Sequence, residues 1–184
     1  MAVRVRKQFK RTRRNQSSLS FVVWQEKVPY DKLAFGKTFT DHMLEVDWND
    51  QEGWKEPAIS PYHPLQIDPA ASSLHYALQV FEGMKAYIDP NNKIRLFRPE
   101  LNMRRMNDSM TRLQMPVRVK SCYLSVGVLV TPCSPSTMSS QTFNSDEYLE
   151  CLKELLKLDK DWIPRREGYS LYIRPTAIST HVSG

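Results

Sequence analysis

No stretch of this sequence stays apolar for anything near the roughly 20 residues that a membrane-spanning helix needs. Its three cysteines, Cys122, Cys133 and Cys151, form no CxxC pair and no His-Cys spacing suited to a metal. Free thiols and no structural metal are therefore the expectation. No apolar core followed by a small-residue cleavage site opens the chain, which argues against a secretory signal. The first 25 residues also contain no acid at all.

That last absence accounts for the net charge of +6. Arg4, Arg6, Lys7, Lys10, Arg11, Arg13 and Arg14 are seven of the 26 basic residues, which leaves 19 to face all 20 acidic ones from residue 26 onward. The basicity belongs to a leader, and a broad nucleic-acid surface on the remainder loses its main support. The leader, rich in arginine and carrying Ser17, Ser18 and Ser20, has two readings. One is a mitochondrial transit peptide; the other is a solvated, disordered arm.

What is present fits one domain or slightly more: 184 residues, 41% apolar and 25% charged. Residues 33–48 alternate loosely and place Phe39, Met43, Leu44 and Val46 on a buried strand face. Asn49 to Gly53 is a turn, and the prolines at 57, 61, 64 and 69 make 57–72 an extended connector. Ser72 or Ser73 caps a short helix running through Phe81, which Gly83 ends. Met84 to Ile88 and Ile94 to Phe97 form a hairpin around Asp89-Pro90-Asn91-Asn92. Pro99 opens a helix with Leu101, Met106, Met110 and Leu113 as its stripe, and Pro116 stops it. Asn144, with Glu147 three residues on, caps a further helix carrying Tyr148, Leu149, Leu152, Leu155 and Leu156. In "SLYIRPT" (170–176), strand periodicity puts Leu171 and Ile173 on one side and Tyr172 and Arg174 on the other. An arginine beside a tyrosine is either an ordinary solvated face or the rim of an anion site.

Residues 118–142 break this rhythm. They pass from an apolar run into a charge-free stretch rich in serine, threonine and proline, and a connection of that length is uncommon inside a compact domain. The segment reads as an insertion, irregular in structure.

The strings "FGKTFTDHMLEVDWND", "SSLHYALQVFEGMKAY", "KIRLFRPELNMRRM" and "SLYIRPT" together resemble the branched-chain amino acid aminotransferases of animals, pyridoxal-phosphate enzymes of fold type IV. The wording of "FGKTFTDHM", "EVDWND" and "LDKDWIP" looks closer to the mitochondrial form than to the cytosolic one. The resemblance implies a small N-terminal α+β domain over 26–117 and 143–178, with 1–25 as a leader, incomplete without a C-terminal domain. It implies pyridoxal 5'-phosphate as cofactor, with Arg105 of the "LNMxRM" helix on its phosphate. The family pattern has an acid where this chain has Arg104. Phe35, Tyr76 and Phe81 match positions lining the family's branched side-chain pocket. Tyr172 and Arg174 match the pair at the substrate end, Arg174 serving the second carboxylate of glutamate. The substrates implied are leucine, isoleucine and valine with 2-oxoglutarate, in a homodimer without nucleic-acid or membrane partners. The family's Schiff-base lysine lies beyond Gly184, so no catalytic residue is expected in this chain, and Lys85 reads as a solvent-facing strand residue. A non-catalytic truncated product that pairs with full-length subunits is the alternative.

Overall fold

The computed structural model describes residues 28–29, 32–115, 121–125 and 144–181. Strand β1 (His42–Asn49) carries the expected alternation, burying Leu44, Val46 and Trp48 on one face and Met43 on the other. It pairs with β2 (Gly53–Trp54) after a turn in which Gly53 adopts φ +72°, a left-handed conformation that glycine takes without a Cβ penalty. The proline-rich connector is extended as expected, and part of it, β3 (Ala58–Pro61), lies antiparallel along the first half of β1. Phe39 falls before the strand and is exposed, stacking instead on Tyr62 at 4.8 Å.

Helix α1 (Ser72–Tyr76) is shorter than its sequence suggests. Ala77 ends it at φ 53°, and Gln79–Phe81 become strand β4 rather than a further helical turn. Tertiary pairing overrides local propensity here, because residues 79–81 are held by the ladder to β9 (Thr176–Ser179). Nor does a serine cap the helix. Ala71 occupies the cap position, and the Ser72 hydroxyl is buried against that of Ser179 at 2.6 Å.

The hairpin forms as read, β5 (Met84–Ile88) against β6 (Ile94–Leu96). Helix α2 (Pro99–Arg112) begins on its proline and buries Met103, Met106 and Met110. Leu101 is exposed, however, and the neighbouring Asn102 turns inward. Helix α3 (Ser145–Leu158) is capped by Asn144, whose side chain accepts from the backbone N–H of Asp146 (3.2 Å) and Glu147 (3.3 Å). Its inner face of Tyr148, Leu149, Leu152, Leu155 and Leu156 joins the methionines of α2 in the core.

Residues 121–125 correct the expectation of an irregular insertion. Ser121–Ser125 form β7, paired antiparallel to β1 on one side and to β9 on the other. A short β-prone run supplies a row of backbone donors and acceptors to two strands that would otherwise both present open edges. The remainder of 118–142 lies outside the described residues, as does the leader.

The main sheet thus runs β2-β1-β7-β9-β4, with β3 also on β1, and a second sheet runs β6-β5-β8, where β8 is Leu171–Ile173. One ribbon joins the two. Val80 faces Ala177 and Phe81 faces Thr176 in the main sheet, while Met84 faces Ile173 and Ala86 faces Leu171 in the second. The register never slips, and at the crossing point the Glu82 N–H donates to the Pro175 carbonyl at 2.9 Å. The segment Phe81-Glu82-Gly83 and the segment Arg174-Pro175 therefore change sheets together.

Candidate functional site

The site lies on that crossing. The strand alternation read from "SLYIRPT" holds, and Tyr172 and Arg174 share a face. The Arg174 guanidinium donates from Nη2 to the Tyr172 hydroxyl at 3.0 Å, and its Cζ lies 4.6 Å from the centre of the Phe81 ring. The Phe35 ring meets Tyr172 edge-on, with centroids 5.1 Å apart and planes at 73°. Such T-shaped and cation-over-ring contacts follow from the negative face and positive edge of an aromatic ring. The rings remain open to solvent, Phe35 at 78% and Phe81 at 62% of full exposure.

Gly83 makes the close packing possible. A Cβ at this position would stand 2.2 Å from the Tyr172 hydroxyl and 2.9 Å from the ring carbon that bears it, so the constraint is steric. The tyrosine ring lies directly over the glycine backbone.

Arg105 reaches the same crossing from α2. It donates from Nε to Oε1 of Glu82 (2.9 Å) and from Nη2 to Oε2 (2.7 Å), a two-point fork on one carboxylate. Oε2 also accepts from the Asn102 amide at 2.9 Å, and that amide donates to the Gly83 carbonyl at 2.8 Å. Asn102 is buried and stands one helical turn before Arg105, which puts both on one face of α2. Glu82 is mostly covered (12% exposed) while Arg105 reaches into solvent (58%). Hydrogen bonding to the carboxylate, followed by its charge, holds the Arg105 guanidinium protonated beyond its already high ordinary value. Glu82 engages Nε and Nη2 and leaves Nη1 to other acceptors.

Of the residues singled out in the sequence, Phe35, Phe81, Tyr172 and Arg174 come together, and Arg105 joins their supporting turn through Glu82. Tyr76 ends α1, is 66% exposed, and has its ring 6.4 Å from that of His75. Arg104 and Lys85 are solvent-facing, Lys85 opposite Tyr172 in the β5–β8 ladder. Sequence reasoning missed Glu82, Gly83 and Asn102. The three-residue spacing of Asn102 and Arg105 was the available signal, since it places an amide and a guanidinium over the same short turn.

The arrangement offers two cations with open hydrogen-bond donors and a wall of exposed rings. It suits a ligand with anionic ends and an apolar middle. Among the described residues no group of three or more His, Cys, Asp or Glu side chains is placed to hold a metal. No helix among them is long and apolar enough to cross a membrane.

No family model matches the chain. Curated proteins do. A branched-chain-amino-acid aminotransferase of Dictyostelium discoideum is 46% identical over 168 residues, covering 88% of this chain and 38% of that protein. The cytosolic enzyme of that name from Mus musculus is 44% identical, over 88% of this chain and 35% of its own length. Its mitochondrial counterpart in the mouse is also 44% identical, over 84% and 33%. By sequence, this chain is a homologue of the branched-chain-amino-acid aminotransferases. It spans about a third of the length of these relatives, which include mitochondrial and cytosolic forms at equal identity. The mixed helices and antiparallel sheets agree with the α+β class expected for a partial aminotransferase domain.

Proposed function

We propose that this chain forms the small domain of a fold type IV, pyridoxal-phosphate-dependent aminotransferase. The reaction is amino transfer between leucine, isoleucine or valine and 2-oxoglutarate. The observation that carries the proposal is the assembly of Phe35, Phe81, Tyr172 and Arg174 from three separate parts of the chain into one contact group, on the turn that also holds Arg105. In this reading the three rings form the wall against which a branched aliphatic side chain packs. Arg174, already oriented by the Tyr172 hydroxyl, meets the distal carboxylate of the dicarboxylic substrate. Tyr76 completes the aliphatic pocket from the end of α1. The functional unit is a homodimer, and the arginine-rich leader directs it to the mitochondrion, with the cytosol as the alternative.

The residues present fit the phosphate of the cofactor. Arg105 is an exposed, permanently charged planar fork whose Nη1 is not used by Glu82, and phosphate oxygens match that geometry. When bound, pyridoxal phosphate supplies an electron sink for the substrate's α-carbon. The chain's own residues bind and orient: Arg105 fixes the phosphate end, the rings exclude water from the aliphatic side chain, and Arg174 selects the second carboxylate. Discrimination among aliphatic side chains by such a wall is worth about 1–3 kcal/mol per methylene.

A calorimetric titration tests the assignment. Arg174→Gln should weaken 2-oxoglutarate binding by about tenfold or more, the scale of one lost charge-assisted hydrogen bond. The same substitution should leave the branched 2-oxo acid derived from leucine within about twofold, because that acid has no second carboxylate. Equal losses for both acids would remove Arg174 from the role given to it here.

A further inference from the structure

Glu82 stands at the centre of the site although none of its atoms belongs to the apolar wall or offers a positive charge to an anion. Four donors converge on this residue. Two come from Arg105, one from the Asn102 amide, and the Gly83 N–H points at Oε2 from 3.4 Å. Its own backbone N–H donates to the carbonyl of Pro175, between β8 and β9. The carboxylate is therefore located twice, by the ribbon behind it and by the α2 amide beside it. Arg105, on a long flexible stem and more than half exposed, has no comparable anchor of its own.

A free arginine on a helix surface samples many rotamers, and an anion that binds it must immobilise the stem. A guanidinium gripped through Nε and Nη2 has lost that freedom beforehand, and its remaining edge faces outward at a set angle. A carboxylate beside an anion site would ordinarily oppose the anion. Here it faces the Nε edge, so the guanidinium stands between the two negative groups.

We infer that Glu82 is a positioning residue, which uses Asn102 and the Pro175 backbone bond to hold Arg105 ready for a phosphate group. This rests on the phosphate role proposed above for Arg105. It makes Phe81-Glu82-Gly83 one device with three parts: an aromatic wall, an arginine holder, and a gap that admits Tyr172.

The test uses the full 184-residue chain with two probes, pyridoxamine 5'-phosphate and pyridoxamine, which differ only in the phosphate. Arg105→Ala should abolish the preference for the phosphorylated probe. Glu82→Gln, which keeps the shape and removes the charge, should weaken the phosphorylated probe about five- to tenfold and leave pyridoxamine unchanged. The double variant should be no weaker than Arg105→Ala alone. An independent readout is the Arg105 Nε–H proton resonance, slow to exchange in the unsubstituted chain and lost to solvent exchange in Glu82→Gln and in Asn102→Ala. If Arg105→Ala retains the preference, or the unsubstituted chain has none, the phosphate reading is wrong. If Arg105→Ala loses it while Glu82→Gln keeps it or strengthens it, the phosphate reading stands and Glu82 is not its positioning residue. An Arg105 Nε–H that exchanges equally fast in every form also overturns the positioning role.

Discussion

Two regions of this molecule use similar apolar side chains to opposite ends. Under α2 and α3, Leu152, Met103 and Met106 are sealed from water within a continuous cluster that reaches Leu44 on β1. At the sheet crossing, Phe35 and Phe81 stand out in solvent, braced by one arginine and one tyrosine. In the first region an apolar group is stabilised by what surrounds it. In the second, an exposed ring is held in place by neighbours that contribute little to folding, and its surface stays available. Large exposed apolar groups grouped together mark places where something else binds. The proposed site would then place binding in a different part of the chain from stability, and substitutions can show whether that division is real.

The largest effect is expected from Leu152→Ala. This side chain is wholly buried between helix and sheet, so truncation removes transfer energy and leaves a cavity. Denaturant unfolding should show a loss of about 2–5 kcal/mol. The ring-current shifts of Phe35 and Tyr172 should persist wherever the variant is folded. A loss below about 1 kcal/mol would mean that the core is not where the fold's stability lies.

Gly83→Ala should come next, because it attacks the site from its backbone side. The new methyl would need the space of the Tyr172 hydroxyl. Overpacking of this kind costs about 1–3 kcal/mol, and it should displace Arg174 along with the tyrosine it bonds. Adding Tyr172→Ala should recover most of the loss in thermal stability, since the clash partner is gone. A penalty that survives the second substitution would show that Gly83 is required for its backbone and not for the ring above it.

Much of this was legible because local rules agreed with the fold. The Asn144 cap, the Pro99 start, the hairpin turn and the strand alternation at Tyr172 and Arg174 each depend on neighbours within a few residues. The failures share a different cause. The helix expected through Phe81 gives way to β4, since residues 79–81 find partners nearly a hundred positions away in β9. Ser72 is drawn from capping to Ser179 for the same reason. Residues 121–125 gave no sign of a strand because nothing local shows that β1 and β9 both leave an edge for Ser121–Ser125. At the candidate site, the rings and both arginines were singled out through the family resemblance, and Asn102 had only its three-residue spacing from Arg105 to mark it. Glu82 had no such mark, because its importance is a matter of convergence with a helix twenty positions away.

Phe81→Ala should have the smallest effect on stability, and that makes it the sharpest measure of the comparison. Its ring is mostly in water, so truncation creates no cavity and uncovers little that was buried. What it removes is the cation–π contact with Arg174, worth about 0.5–1 kcal/mol at an exposed position. Thermal unfolding should therefore register a loss of no more than about 1 kcal/mol, well below that of Leu152→Ala. The effect should appear in binding instead: weaker affinity for the branched 2-oxo acid, and an Arg174 side chain freed on one side. Solubility should rise slightly, since an exposed apolar group has been removed. A stability loss above about 2 kcal/mol would place Phe81 with Leu152 as a structural residue. The exposed rings would then belong to the fold, and the division between the two regions would collapse.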